Sequence, residues 1–279
     1  MARTVHAQPV RVRLRLKLGA YPPAGRFIHQ AIFAKALPRV AVRRVRRSEH
    51  PGAPALARAV EGIRGRGIDA GEAQWIDRIE ERRAEFGARE APIRSGTQTG
   101  GRTRLPPRHF SGVASIHRPW GVFLQRLVRE LRPRSCVELG TAIGISAAYQ
   151  GSGLALNADG RLRTIEGAPW LAELARETLA ELEIDRVEVI DGRFDDVLDA
   201  VLADAAPIDF AYMDAGKDRE QNVVQFERLL PHLAPGAAFV IDDVHWSREM
   251  NGAWREIRAH PQVGLSVDLW RLGACLMRT

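Results

Sequence analysis

Lysine is almost missing from this chain: of 41 basic residues among 279, only Lys17, Lys35 and Lys217 are lysines. Two cysteines, Cys136 and Cys275, are too few for a disulfide framework or a zinc cluster. A reducing, cytoplasmic setting is therefore expected. No uninterrupted apolar stretch approaches the roughly 18–20 residues of a membrane span, so no membrane partner is expected. The first residues lack the compact apolar segment of a secretory signal, and Ser48 is the lone serine of residues 1–50, which counts against a transit peptide.

With 45% hydrophobic and 27% charged residues, the chain suits one sizeable domain plus an extension. The net charge of +7 conceals a split. Residues 1–109 carry 23 basic against 9 acidic side chains, and residues 110–279 carry 18 against 25. A basic front favours phosphate, nucleic acid or anionic surfaces through counterion release. The plainer reading is the arginine-rich usage of a GC-rich genome, with the charges simply solvated.

Residues 1–50 read as a weakly ordered arm. Within it Val10–Leu18 alternates like a half-buried strand, and Arg39–Arg47 is a basic run. Residues 53–66 and 70–88 read as helices. The second sets Trp75, Ile76, Ile79 and Phe86 on one face, opposite Arg78, Glu81, Arg82 and Glu85. Residues 92–108 read as a linker rich in Gly, Pro, Ser, Thr and Arg. These divisions predict a basic extension over 1–109 and a second domain over 110–279.

From about residue 115 the pattern alternates strand and helix. Strands are expected at Ser135–Leu139, Leu162–Ile165, Val187–Ile190, Ile208–Met213 and Ala237–Ile241, each followed by a helix, with a final hairpin near Gly264–Trp270 and Ala274–Arg278. Repeated units of this size predict an α/β fold, a doubly wound, mostly parallel seven-stranded sheet with helices on both faces. Ligands of such sheets bind beyond the carboxyl ends of the strands, where strand order reverses. The residues just after each strand are therefore the informative ones.

The first strand runs into Glu138-Leu139-Gly140-Thr141-Ala142-Ile143-Gly144-Ile145-Ser146. Gly140 and Gly144 permit a tight turn before a helix N-terminus, but the spacing is neither that of a dinucleotide loop nor a P-loop. Glu166 follows the second strand, where an acid accepts hydrogen bonds from ribose hydroxyls; capping of the next helix is its other reading. Loop plus acid predicts an adenosine-containing ligand, and Ala142 argues against a nicotinamide dinucleotide. Asp214 and Lys217 follow the fourth strand, and Asp242 and Asp243 the fifth. Three converging carboxylates are costly unless a cation sits among them, and a hard ion such as Mg2+ suits carboxylate oxygen; helix capping is the alternative. Lys217, the single lysine of residues 110–279, could serve as a base if its pKa were lowered. His245 reads as a base, a substrate contact or a packed residue. Trp246, Met250 and Trp254 have core spacing, and both cysteines read as small core residues.

Taken in order, VELGTAIGIS, TIEGAP, VIDGRFDD, IDFAYMDAGKD and AAFVIDDVHWS resemble the class I S-adenosylmethionine-dependent methyltransferases, nearest the catechol and caffeoyl-CoA O-methyltransferase type. The resemblance covers roughly residues 112–279. It implies a Rossmann-like methyltransferase fold and S-adenosylmethionine as cofactor. Glu138, Gly140, Thr141, Gly144 and Ser146 would hold its methionine end, with Asp214 at the same edge. Glu166 would hold the ribose, and Gly192 and Arg193 would flank the adenine. It further implies Mg2+ at Asp214, Asp242 and Asp243, where relatives often carry asparagine at the last position. Asp214 and Lys217 are then the catalytic pair, with Lys217 activating a small-molecule hydroxyl acceptor under the cover of helices 53–88. The alternatives are an RNA methyltransferase gripping phosphates with its basic arm, although no aromatic stacking surface is evident there, and a cofactor-binding protein without catalysis. The arm and the final hairpin are candidate contacts for a homodimer.

Overall fold

The computed structural model of the chain describes residues 40–94, 104–214 and 216–279. The expected strand at Val10–Leu18 lies outside them. The strands of the main sheet are β1 (Ser135–Leu139), β2 (Arg161–Glu166), β3 (Val187–Asp191), β4 (Ile208–Met213), β5 (Leu233–Ile241), β6 (Val263–Asp268) and β7 (Gly273–Met277). Their spatial order is β3-β2-β1-β4-β5-β7-β6. The pairs among β1 to β5 are parallel, and β7 runs antiparallel to both β5 and β6. This is the Rossmann-like methyltransferase fold expected from the sequence.

The helices are α1 (Ala53–Gly62), α2 (Ala70–Ala88), α3 (Pro107–Gly112), α4 (Arg118–Leu131), α5 (Ile145–Asn157), α6 (Pro169–Glu181), α7 (Phe194–Ala205), α8 (Arg219–Leu229) and α9 (Arg248–Ile257). Strand residues alternate between two cores, as a period of two requires. Phe210, Tyr212 and Val240 join the core shared by α1, α2, α4 and α5. Ala211, Met213, Phe239 and Ile241 join the core of α7, α8 and α9 on the opposite face. Cys136 and Cys275 are buried within β1 and β7, as expected of small core residues.

The N-terminal segment is less separate than its charge suggests. Residues 40–45 are helical, and Ala41, Val42 and Val45 are buried in the same core as α4, where the basic run read as part of an arm. Helix α2 starts with a capping box, Asp69 accepting from the Glu72 amide and Glu72 from the Asp69 amide, both at 2.9 Å. Glu72 also takes Arg126 of α4 at 2.9 Å in a buried pair. Arg82, expected on a solvated face, is buried and clamps Glu177 at 3.2 Å and Glu181 at 2.5 Å on α6. Arg89 joins the same Glu177. Arg58 pairs with Glu130 and Arg129 with Asp69. Periodicity cannot tell a buried ion pair from a solvated charge, which is why Arg82 was placed outside. Arg58, Arg82 and Arg89 of the basic front thus help to fasten the α1–α2 segment to α4 and α6.

The stretch read as a linker holds a two-residue antiparallel pairing of Ile93–Arg94 with Arg104–Leu105 and runs into α3, with Pro107 at its first turn where a missing N–H costs nothing.

Candidate active site at the carboxyl edge of the sheet

The register brings the strand ends level. Leu139 pairs with Ile165 on one side and Met213 on the other, and Met213 pairs with Ile241. Strand order reverses between β1 and β4, so their carboxyl ends open the crevice in which such sheets bind ligands.

The loop after β1 carries three positive φ values, +96° at Gly140, +48° at Ala142 and +85° at Gly144. A Cβ at Gly144 would come within 3.1 Å of the Ala175 backbone in α6, so close approach as well as φ demands glycine there. Helix α5 then begins with no side-chain cap, leaving backbone amides available to a ligand at its positive end. Thr141 is buried, its hydroxyl 2.5 Å from that of Thr164. Glu138 lies beneath the loop, fully buried, accepting from Gln150 at 2.8 Å and Thr164 at 2.5 Å. Burial pushes its carboxyl up from an ordinary 4.5 to about 7, against the hydrogen bonds from Thr164, Ser146 and Gln150.

That shift gives a pH prediction. A carboxyl with a raised folded pKa stabilises fully below its unfolded pKa, and that contribution is lost as pH rises through the folded value. Wild type is expected to lose stability relative to Glu138→Gln between about pH 4.5 and 7. Urea unfolding of both proteins at pH 5 and pH 8 checks this: the difference must shift in favour of Glu138→Gln at pH 8.

Glu166 ends β2. Its Oε2 accepts from the Ala142 amide at 2.8 Å and its Oε1 from the Ala168 amide at 3.0 Å. Burial raises its pKa, opposed by these backbone donors. Glu166 braces the loop and the start of α6, yet each carboxylate oxygen has a second lone pair for a hydroxyl donor. Gly192 and Arg193 follow β3. A Cβ on Gly192 would strike Val197 at 2.4 Å, and Arg193 is exposed at the N-cap of α7, its guanidinium 3.9 Å from Asp195.

Asp214, Asp242 and Asp243 do converge, with one oxygen of each within 4.8 Å of the others. Two cations of the chain itself sit among them. The Lys217 ammonium lies 2.7 Å from Asp214 Oδ1 and 2.6 Å from Asp243 Oδ2. Arg271 takes Asp242 in a two-point clamp, Nε to Oδ1 at 2.9 Å and an Nη to Oδ2 at 3.0 Å. The Tyr212 hydroxyl donates to Oδ2 at 3.0 Å and the Asp243 amide to Oδ1 at 2.6 Å. A carboxylate offers about four lone-pair directions, and those of Asp242 all have protein donors. The donor set therefore does not fit Mg2+: Asp242 has no oxygen lone pair to give, and an ammonium already bridges the other two acids.

Burial alone would raise the Asp242 carboxyl, but Arg271 outweighs it and holds it below the usual range. Burial and the neighbouring Asp242 push Asp243 up to about 6. Burial would lower the Lys217 ammonium, yet Asp214, Asp243 and Asp242 together raise it well above the ordinary lysine value. The lowering that a lysine base requires is thus reversed.

Arg271 owes its aim to an unusual turn between β6 and β7. The Arg271 amide donates to the Leu269 carbonyl at 3.0 Å across Trp270, whose φ is +75°. This is a γ-turn of the strained hand. Asp268 holds it, accepting from the Trp270 amide at 2.9 Å, Trp254 Nε1 at 3.1 Å and His245 Nε2 at 3.0 Å. Asn251 donates to His245 Nδ1 at 3.0 Å, and the imidazole stacks on Trp270 at 4.8 Å. Both ring nitrogens of His245 are engaged, and the residue, itself exposed, braces the turn. Met250 and Trp254 are core, while Trp246 of the same spacing is 43% exposed.

Three residues of this site carried no signal in the sequence. Arg271 looked like a hairpin turn residue and Tyr212 like core. The pKa of His117, the N-cap of α4, is lowered by burial and then by the Arg271 and Arg83 charges, against a hydrogen bond with the Gly112 carbonyl and the Asp242 charge.

The strand order is that of the Rossmann-like methyltransferase fold. Residues 137–244 match the family model described as a methyltransferase domain, in agreement with the resemblance read from the sequence. A Mycobacterium sp. (strain KMS) protein provisionally named an O-methyltransferase is 34% identical over 133 residues, 47% of this chain and 57% of that protein. The chain thus covers little more than half the length of that relative. Among solved structures, a provisionally named O-methyltransferase from Klebsiella pneumoniae superposes with TM-score 0.55 at 21% identity, covering 77% of this chain and 92% of that one. An O-methyltransferase from Bacillus cereus, in complex with SAH, gives TM-score 0.51 at 24% identity over 76% and 92%. Among the described residues no helix is long and apolar enough to cross a membrane.

Proposed function

We propose that this protein is an S-adenosylmethionine-dependent methyltransferase acting on a hydroxyl of a small molecule. The observation that carries the reading is the meeting, at the switch point, of the Gly140–Gly144 loop, the partly exposed Glu166 and the Asp214 cluster. The matches to proteins named O-methyltransferases support it.

The bound cofactor supplies a methyl group made electrophilic by a sulfonium. The Gly140–Gly144 loop and the first amides of α5 would hold its methionine end, Glu166 its ribose, and Gly192 and Arg193 its adenine. A rim carboxylate, Asp214 or Asp243, would take the proton that the acceptor hydroxyl gives up on methylation. Positioning is the main contribution of the protein, worth on the order of 7–11 kcal/mol at best. Lys217, kept as an ammonium, orients those two carboxylates instead of taking the proton. No step runs through Mg2+.

Calorimetric titration with S-adenosylhomocysteine tests the core of this. Micromolar binding followed by turnover on a hydroxyl acceptor supports it, and a folded wild type that does not bind overturns it. The role of Lys217 has its own test. Arginine keeps the charge and cannot act as a base, so Lys217→Arg is expected to retain turnover within about tenfold of wild type. Lys217→Met is expected to lose far more, with S-adenosylhomocysteine affinity intact in both. Equal inactivation of the two variants would restore the base role.

A further inference from the structure

We propose that Lys217 and Arg271 stand in for a divalent cation, so that the carboxylate cluster is closed by the chain's own charges and binds no metal. The proposal deepens the methyl-transfer reading of this edge, but its test does not depend on methyl transfer.

Three carboxylates gathered at one strand edge need positive charge, and the sequence alone pointed to an ion. The structure supplies two side-chain cations at contact distance instead. Lys217 Nζ bridges Asp214 and Asp243 at 2.7 and 2.6 Å. Arg271 takes both oxygens of Asp242, and its Nε is 3.8 Å from Asp243. An ion ligated by all three acids would have to displace the ammonium and strip Asp242 of its guanidinium. The second step is costly. Arg271 is itself buried, and a displaced guanidinium would remain in a site without a counter-charge. The turn that presents it is also held from outside the cluster, by Asp268, His245 and Trp254. Arg271 is therefore a built part of the site rather than a mobile side chain that swings in when an ion leaves. Asp243, with φ +54°, sits in the left-handed region and keeps its amide on Asp242 at 2.6 Å. That contact takes one more lone pair from the would-be ligand. The substrate consequence is that the acceptor meets hydrogen-bonding carboxylates and an ammonium, not a chelating ion. A second neighbouring hydroxyl on the acceptor is then no requirement for binding.

Mn2+ is the probe, titrated into the full chain by calorimetry and by its paramagnetic resonance signal, with Mg2+ as competitor. Wild type is expected to show no stoichiometric binding up to millimolar Mn2+. Lys217→Ala, which frees Asp214 and Asp243, is expected to gain affinity at least tenfold, and Asp214→Asn added to it should abolish the gain. Micromolar one-to-one binding by wild type that Asp214→Asn removes overturns the proposal. So does a folded Lys217→Ala protein that gains nothing, since Lys217 would then not be what fills the ion's place. S-adenosylhomocysteine titration of the same samples separates this result from the fate of the methyltransferase reading. A wild type that binds neither ligand sinks that reading and leaves the metal-free cluster standing.

Discussion

Arg271→Leu is expected to lower the unfolding free energy by about 3–5 kcal/mol, the cost of leaving one member of a buried ion pair without the other. Asp242 is 1% exposed and Arg271 7%. Without the guanidinium, the carboxylate keeps only the Tyr212 hydroxyl and the Asp243 amide as near donors. It must then take up a proton or admit water to a site closed by β5 and β7. The companion variant Asp242→Leu/Arg271→Leu removes both charges and is expected to recover most of the loss, because desolvation of the pair offsets much of its attraction. Urea unfolding of these two variants and of Asp242→Leu alone at pH 7 completes the double-mutant cycle that measures the coupling. A loss below about 1 kcal/mol for Arg271→Leu would mean that another cation compensates Asp242.

The second large effect concerns the ligand. Glu166→Ala is expected to weaken S-adenosylhomocysteine binding by about 3 kcal/mol or more, roughly a hundredfold, since hydrogen bonds to a charged acceptor contribute about 1.5–3 kcal/mol each and two ribose hydroxyls are at stake. Part of the loss comes from the loop. Ala142, at φ +48°, donates its amide to Glu166, and nothing else described here accepts it. Glu166→Gln retains only one acceptor oxygen, so its amide nitrogen must face a backbone donor, and it should recover little. Calorimetry on the three proteins, with circular dichroism to verify folding, checks this. Affinity within threefold of wild type in Glu166→Ala would assign the residue to capping alone.

The strands were legible because parallel strands buried on both faces read as near-continuous apolar runs, and Ser135–Leu139 and Ile208–Met213 fall where the sequence put them. The residues after each strand were legible for a topological reason: every carboxyl end opens on the same edge. Missing from the sequence were the long-range pairings. Asp242 and Arg271 are 29 residues apart and meet only because β7 enters beside β5. The three aspartates were visible, but their counter-charges were not, so an ion was the natural inference. His117 was invisible for a similar reason, since the Arg271 and Asp242 charges that act on it lie far along the chain. Helix α3 was hidden by its prolines, which read as linker although one of them starts the helix.

The insertion of β7 between β5 and β6 bears on the order in which the molecule assembles. A nascent chain complete through β6 already has Asp242 at the end of β5, with no guanidinium to meet it. The parallel half of the sheet, from β1 to β5, can pair as its segments emerge, whereas the edge of β5 stays open until β7 docks. Closure of the edge and neutralisation of the cluster are therefore one event, and a late one. A stalled or truncated chain is exposed twice over, presenting an unpaired strand edge and an uncompensated acid at the same place.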